Sequence, residues 1–533
     1  VISWSLRRKT GMNALFIYPR IPQTYWSFRY ALDYLSKKAA FAPLGLLTVA
    51  AMAPAGWNRK LIDLNVRDFT GEDLLWADYA FISAMNVQRE SCIEVIERCR
   101  ENGVKVVAGG PLFTADEDGF TGVDHLILGE AEVTFKPFLE DLVQGCARRV
   151  YASDEKPDLR RTPQPAWDLI DFHDYESMLL QFSRGCPFDC EFCDIVRLNG
   201  KRQRTKDAVQ FIREIDALYR RGWRGSVFIV DDNFIGVKSR ACEMLEALTW
   251  WMDAHGRPFH FFTEASINLA DDPALMDLMV RAGFNKVFVG IETPESQCLK
   301  EAGKSQNMKR DLLRSVHTIQ AHGLEVMGGF IIGFDSDPED IFSRQIEFIQ
   351  TSGITMAMVG LLEALKGTRL WKRLQSEGRL LMDASGDNTD GILNFIPRMN
   401  RDTLVHGYRQ VLESLYSPAA YYRRCVAFLR SCRIGSVSKI SMNGILAFLK
   451  SIWRIGIKND GGFRGYYWRL LSWTLFTRPR AFGEVVRLMI VGIHFRKWLE
   501  ANTGPSRFPD GEGSGLPHQG VKRDNRVSVH VRG

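Results

Sequence analysis

Residues 183–196 read SRGCPFDCEFCDIV and place Cys186, Cys190 and Cys193 at C-x3-C-x2-C spacing. Three thiolates so spaced can hold three irons of a 4Fe-4S cluster and leave the fourth iron open to another ligand. With 10 cysteines in 533 residues, composition alone yields this spacing in about four chains per thousand, so chance explains it poorly. Zinc normally takes four ligands in paired sets, and no second C-x2-C or H-x3-H follows. A cluster ligated wholly by thiolates needs a fourth cysteine, and Cys146 and Cys242 lie at least forty residues away in other elements.

Working outward, the apolar run Leu179, Leu180, Gln181, Phe182 reads as a buried strand end, and a helical pattern starts near Lys206. The cysteines therefore sit on a strand-to-helix edge, where barrels of alternating strands and helices carry their active sites. From 179 to 377 six strand-helix units follow: LLQFSRG, SVFIVDDN, FHFFTEAS, KVFVGIET, EVMGGFIIGF and MAMVGLLE. They predict a partial (β/α)6 barrel with polar groups at one mouth: Asp231, Asp232 and Asn233; Glu264 and Ser266; Glu292 and Thr293; Gly333; Glu363.

The cysteine loop resembles that of the radical S-adenosylmethionine (radical SAM) superfamily. The resemblance implies that SAM chelates the open iron through its amino and carboxylate groups and is split by an electron from the cluster. The electron would come from a donor such as flavodoxin or ferredoxin. By the same resemblance Phe192 packs against adenine, Asp231, Asp232 and Asn233 stand near the amino group, Glu264 and Ser266 near the ribose and carboxylate, and the strand ending at Gly333 near adenine. Glu292 belongs to the same mouth. Chemically, an ammonium calls for carboxylate or carbonyl acceptors, and ribose hydroxyls for carboxylate or amide partners.

Residues 12–150 alternate five strand-like runs with helical patterns, which predicts a doubly wound, Rossmann-like parallel sheet. Such sheets bind ligands at the carboxyl ends of their strands. Those ends carry Asp63 and Asn65, Gly109, Gly110 and Pro111, and Gly129, Glu130 and Glu132. The GGP and GEAE turns resemble those of cobalamin-binding domains fused to radical SAM barrels, which implies a cobalamin held by these residues. Glycine there would let the backbone approach a large flat ring. The D-x-H-x-x-G motif that supplies an axial histidine in methionine-synthase-type domains is missing, because no histidine precedes His125. The expectation is cobalt without a histidine ligand, with residues Tyr18 to Tyr25 near its lower face.

Residues 151–178 lack periodicity and contain prolines, so they read as a linker. Beyond 378 helical patterns take over to about residue 500, and Ala384 to Met399 reads as a loop able to reach the barrel mouth. This extension resembles that of cobalamin-dependent radical SAM proteins that include the hopanoid C-2 methylases. Residues 439–500 hold eleven Lys/Arg against three Asp/Glu, and Trp453, Trp468, Trp473 and Trp498. Such a mixture suits peripheral contact with anionic lipid, while a solvated basic face with aromatics packed inward is the plainer reading. Glycine, proline and charge dominate 501–533, which predicts a disordered tail.

Apolar and charged fractions of 45% and 25% and a net charge of +6 are those of an ordinary globular protein and give no argument for nucleic acid. Ten cysteines without a secretory leader point to a reducing, cytoplasmic compartment, at most peripheral at the inner membrane surface. Residues 1–11, before Met12, read as a start-site artefact. Lys450 and Arg454 interrupt the best candidate for a span of about 20 residues. The resemblance implies C-methylation of an unactivated carbon in a small-molecule or lipid substrate. A cobalamin-dependent cyclase or rearrangement enzyme is the first alternative. An RNA methylthiotransferase would need three more cysteines in the first domain, and Cys92 and Cys99 read as core residues instead.

Overall fold

Strand β1 (Asn13–Tyr18) buries four successive residues, Ala14 to Ile17, because both faces of its sheet are covered. Leu15 and Ile17 pack with Cys92, Val95, Ile96 and Cys99 of the helix Arg89–Glu101, whereas Ala14 and Phe16 join a second core with Phe135 and Phe138 of the helix Ala131–Gln144. Cys92 and Cys99 are thus core residues. The computed structural model describes residues 11–433 and 442–502. The expectations for residues 1–10 and for the tail beyond 502 lie outside the described residues.

The chain next forms β2 (Ala39–Phe41), β3 (Asn58–Asp63), β4 (Tyr79–Ser83), β5 (Lys105–Gly109), β6 (His125–Ile127) and β7 (Val150–Tyr151). The first sheet runs in the order β3-β1-β4-β5-β6-β7, all parallel. It is the doubly wound order, with its switch point between β1 and β4. One strand more than the five expected is present, since the two-residue β7 is too short to carry a period.

The second sheet contains β8 (Tyr175–Leu180), β11 (Gly225–Ile229), β12 (Phe259–Glu264), β13 (Phe284–Glu292), β14 (Glu325–Ile332) and β15 (Ala357–Leu361), while β9 (Ser183–Arg184) and β10 (Arg204–Thr205) pair in a small antiparallel ladder. Its order, β15-β14-β13-β12-β11-β8-β2, adds a seventh parallel strand to the six expected. That strand, β2, comes from inside the first domain, so residues 19–43 leave one sheet, extend the other and return. Three residues, Ala-Ala-Phe, hold no alternation that could announce the exchange.

Beyond residue 368 the chain is largely helical: Arg369–Ser376, Arg401–Leu415, Pro418–Ser431, Met442–Ser451 continuing as a π turn Ile452–Ile457, Arg464–Thr477 and Phe482–Asn502. The last helix packs on Arg29–Leu35, and its Phe495 ring stacks on Tyr25 at 4.3 Å. Tyr25 Oη also bonds Tyr416 Oη at 2.8 Å, and Trp498 Nε1 donates to the Gln23 carbonyl at 3.2 Å. The extension thereby grips the segment that follows β1. Among the described residues no helix is long and apolar enough to cross a membrane.

Candidate active site

The cysteine loop is pinned from below by the end of β11. Asp231, 1% exposed, accepts from Phe182 N at 2.8 Å and Ser183 Oγ at 2.6 Å. Asp232 accepts from Gly185 N at 2.6 Å and from Asn199 Nδ2. Gly185 has φ 100°, and a Cβ there would lie 2.9 Å from the carbonyl oxygens of Gly200 and Arg202, so only glycine fits. On its far side, Glu191 N donates to the Ala302 carbonyl at 2.8 Å, and its carboxylate pairs with Arg373 at 2.7 Å.

The three thiols are half-buried, and burial pushes all of them up, Cys193 to about 12. Lys304 opposes that rise at each thiol; its ammonium pairs with Glu292 and stands 6.0 Å from the Phe192 ring centre. Gln306 Nε2 lies 3.9 Å from Cys190 Sγ, while Gln306 Oε1 and the neighbouring Asn307 Oδ1 are buried without a partner. Among the described residues no three His, Cys, Asp or Glu side chains converge on a single ion. A zinc site would converge so, whereas a cubane sets its thiolates on separate irons. Three thiols on one loop with a cation beside them fit the cluster.

At the barrel mouth the Glu264 carbonyl accepts from Phe234 N at 2.9 Å, while its carboxylate takes no hydrogen bond or ion pair among the described residues. Burial, then the charges of Asp232 and Asp231, push its carboxyl up to about 7. Asn233 and Ser266 bond each other, Nδ2 to Oγ at 3.2 Å and Ser266 N to Oδ1 at 3.2 Å. Glu292 sits at a bulge with φ 66°, held by Lys304. Gly333 N and Phe334 N donate to Asp337, and the Phe334 ring meets Phe192 edge-on at 6.3 Å. Glu363 accepts from Gly386 N at 2.8 Å, so the 384–399 loop reaches the mouth. Both Asp231 oxygens thus accept from the protein's own loop, whereas the Glu264 carboxylate does not.

Between the two sheets lies a cavity of about 1070 Å³, beyond the roughly 300–1,000 Å³ of ordinary ligand pockets. Tyr18, Asn65, Gly110 and Gly129 line one side and Gln181 and Asp232 the other. Its wall at the first sheet includes the small residues Ser83, Ala84, Gly109, Gly110 and Ala131, which leave room for a large flat ligand, and among the described residues no histidine lines it. These features fit cobalamin. Residues Tyr18 and Arg20 to Gln23 face the cavity, while Tyr25 is turned into the extension.

Several expected contacts have other partners. Asp63 is buried away from the cavity, accepts from Asn65 and from Tyr175 Oη at 3.1 Å, and is pushed by burial up to about 6. Glu130 and Glu132 are lining residues whose carboxylates are occupied: Arg184 bonds both at 2.8 Å, and Arg204 bonds Glu130 at 2.8 Å. A Cβ at Gly109, Gly110 or Gly129 would strike Ile127 O, Ser83 Oγ or Ser153 O at 2.7–2.9 Å, so the protein's own walls demand these glycines. Sequence reasoning missed Lys304, Gln306, Arg184 and Arg204. Only Arg184 carried a signal, its place inside the cysteine motif.

A doubly wound sheet facing a seven-stranded partial barrel, with a three-thiol loop at the barrel's strand ends beside the shared cavity, defines an enzyme that works with a radical SAM cluster and a cobalamin. Residues 37–139 match the B12 binding domain, 180–349 the Radical SAM superfamily and 368–504 a domain of unknown function (DUF4070). The chain is 41% identical to an uncharacterized methyltransferase of Synechocystis sp., over 92% of each chain. It is 33% identical to the hopanoid C-2 methylase of Rhodopseudomonas palustris, over 91% of this chain and 92% of that one. In fold it is similar to the cobalamin-dependent SAM radical enzyme OxsB, with a TM-score of 0.59 and 13% identity over 94% of this chain and 82% of that one. It is also similar to the radical SAM methyltransferase TsrM from Kitasatospora setae, with a TM-score of 0.54 and 14% identity over 69% and 76%. The chain belongs to the cobalamin-binding-domain radical SAM family, and its cofactors are a 4Fe-4S cluster, SAM and cobalamin.

Proposed function

We propose that this enzyme is a C-methyltransferase acting on an unactivated carbon of a lipid, terpenoid or other natural product. The observation that carries the reading is a cavity shared by the carboxyl ends of both sheets, lined from the first by Tyr18, Ser83, Gly110 and Gly129 and from the second by Asp232 and by Arg184 and Ile195, which flank the three cysteines. When bound, the cluster, SAM and cobalamin supply reductive sulfonium cleavage and a transferable methyl group. Cys186, Cys190 and Cys193 hold three irons, and Lys304 offsets the negative charge that three thiolates create. Glu264 receives the ammonium of SAM, with Asp232 adding negative charge beside it; Asn233 and Ser266 are positioned for ribose and carboxylate; Phe192, backed by Phe334, and the strand end at Gly333 face adenine. Glu292 acts through Lys304. Asn65, Pro111 and the glycine turns at 109, 110 and 129 frame cobalamin, while Asp63, Glu130 and Glu132 hold that frame to the barrel.

The division of labour follows the domains: 12–150 for cobalamin, 151–178 as linker, 179–377 for radical generation and 378–500 as the extension. An electron donor such as flavodoxin or ferredoxin completes the system, and residues 439–500 bring the protein to a membrane surface. The relative that is a hopanoid C-2 methylase favours a polycyclic lipid as substrate. The test is anaerobic turnover of reconstituted protein with a polycyclic terpenoid lipid. S-adenosylhomocysteine and 5'-deoxyadenosine formed together, with a product 14 mass units heavier, are expected from the addition of about one CH2 equivalent. Deoxyadenosine with a rearranged, unmethylated product would overturn methylation in favour of the cyclase reading.

A further inference from the structure

The extension exposes more large apolar side chains than its fold uses. On the helix and π turn 442–457, Met442, Ile445, Leu446, Leu449, Trp453 and Ile457 are all 42–70% exposed. At about 100° per residue they fall within one stripe roughly 120° wide. Trp468 of the next helix donates to the Gly456 carbonyl at 3.0 Å, which joins this stripe to Leu475 and Phe476, the latter 84% exposed. Contiguous apolar surface of this kind marks an interaction face.

The charges around it identify the occupant. Residues 442–480 contain seven Lys/Arg and one acid, Asp460, which is paired with Lys497 at 2.9 Å. Lys458, Arg464, Arg469 and Arg480 are exposed beside the apolar residues. An apolar ridge rimmed by cations complements an anionic bilayer, whose headgroups take the cations while its acyl boundary takes Trp, Leu and Phe. The ridge is also tied to the cavity. Lys450 donates to the Asp33 carbonyl and to Ser36 Oγ at 2.7 Å, and Arg454 pairs with Asp33 at 3.6 Å. Arg29, Asp33 and Lys38 line the cavity and are exposed, so one edge of it opens at the surface beside the ridge.

We infer that the ridge formed by 442–457, Trp468, Leu475 and Phe476 docks on an anionic membrane and turns the 29–38 rim of the cavity toward it, so that an apolar substrate enters from the bilayer. The entry route rests on the proposed lipid substrate; the docking surface does not. The test is flotation of the full-length reconstituted protein with phosphatidylcholine vesicles with and without 30 mol% phosphatidylglycerol, alongside hydrogen exchange. (The vesicle composition is roughly that of a moderately anionic membrane.) The expected result is co-flotation only with the anionic vesicles, slowed exchange in 29–38 and 442–480, and at least a roughly tenfold loss of binding in a Leu449→Ser, Trp453→Ser, Phe476→Ser variant that melts as the parent does. Failure of the parent to float, equal flotation of the variant, or protection confined to other segments overturns the proposal. A parent that dimerises through the ridge without floating overturns it in favour of a second copy as occupant. Flotation needs no turnover, so a protein that floats but methylates nothing supports the surface and refutes the lipid-methylation reading.

Discussion

Glu130→Gln tests whether the cobalamin-side turn and the cysteine loop are coupled by charge. The Glu130 side chain is 6% exposed and its oxygens take Arg184 Nη1 at 2.8 Å and Arg204 Nη2 and Nη1 at 2.8 and 3.1 Å. Burial opposes the charge on Arg184, and Glu132 and Glu130 together overcome it, which holds the guanidinium above its usual range. Removing one charge from such a buried network costs about 3–5 kcal/mol. The loss here belongs at the low end, because Arg184 keeps Glu132, and Arg204 keeps the carbonyls of Pro157 and Asn199 at 2.9 Å. About 3 kcal/mol is roughly a 150-fold shift in equilibrium. Denaturant unfolding of the apoprotein, run as a double-mutant cycle with Arg204→Gln, should return a coupling of at least about 1.5 kcal/mol. Hydrogen exchange should rise together at 127–132 and 183–186. A single-mutant cost under about 0.5 kcal/mol, or a coupling near zero, would refute the clamp.

Cys190→Ala should bind no cluster, read by iron content and visible absorbance, and should form no deoxyadenosine while the first domain keeps its fold; deoxyadenosine at the parental rate would overturn the site. Gly185→Ala forces a side chain onto two carbonyls at φ 100° and should cost about 1–3 kcal/mol, with loss of iron on reconstitution; unchanged denaturant stability would show that the loop is slack. Glu264 is a carboxyl raised to about 7 against about 4.3 unfolded, so the folded apoprotein binds the extra proton and its stability falls as pH rises from about 4.5 to 7, by about 2–3 kcal/mol after allowing for its open side. Glu264→Gln should flatten that slope by close to one proton and weaken SAM binding, and an unaltered slope would mean that Glu264 is not buried as described.

Much of the fold was legible because strand and helix periods are written within a few neighbouring residues. The runs around Ala14–Ile17 and Val326–Ile332 alternate or stay apolar according to how many faces are covered. The cysteine loop, too, is local: its three thiols lie within eight residues, so spacing alone announces the chemistry. The absence of histidine before His125 was equally plain.

What tertiary structure alone decided is which partner each polar group takes. Glu130 and Glu132 look like cofactor ligands on their glycine turn, yet Arg184, 54 positions from Glu130, bonds both and Arg204, 74 positions away, bonds Glu130. Asp231 reads as a free strand-end acid and proves to hold the backbone of the cysteine loop, while Glu264, one strand over, is the acid left open. The exchange of β2 into the second sheet and the exposed ridge at 442–457 are likewise decided by packing. Periodicity marks a face as apolar, but whether that face is covered depends on elements hundreds of residues distant, and a carboxylate's partner depends on which cation folding brings within hydrogen-bond reach.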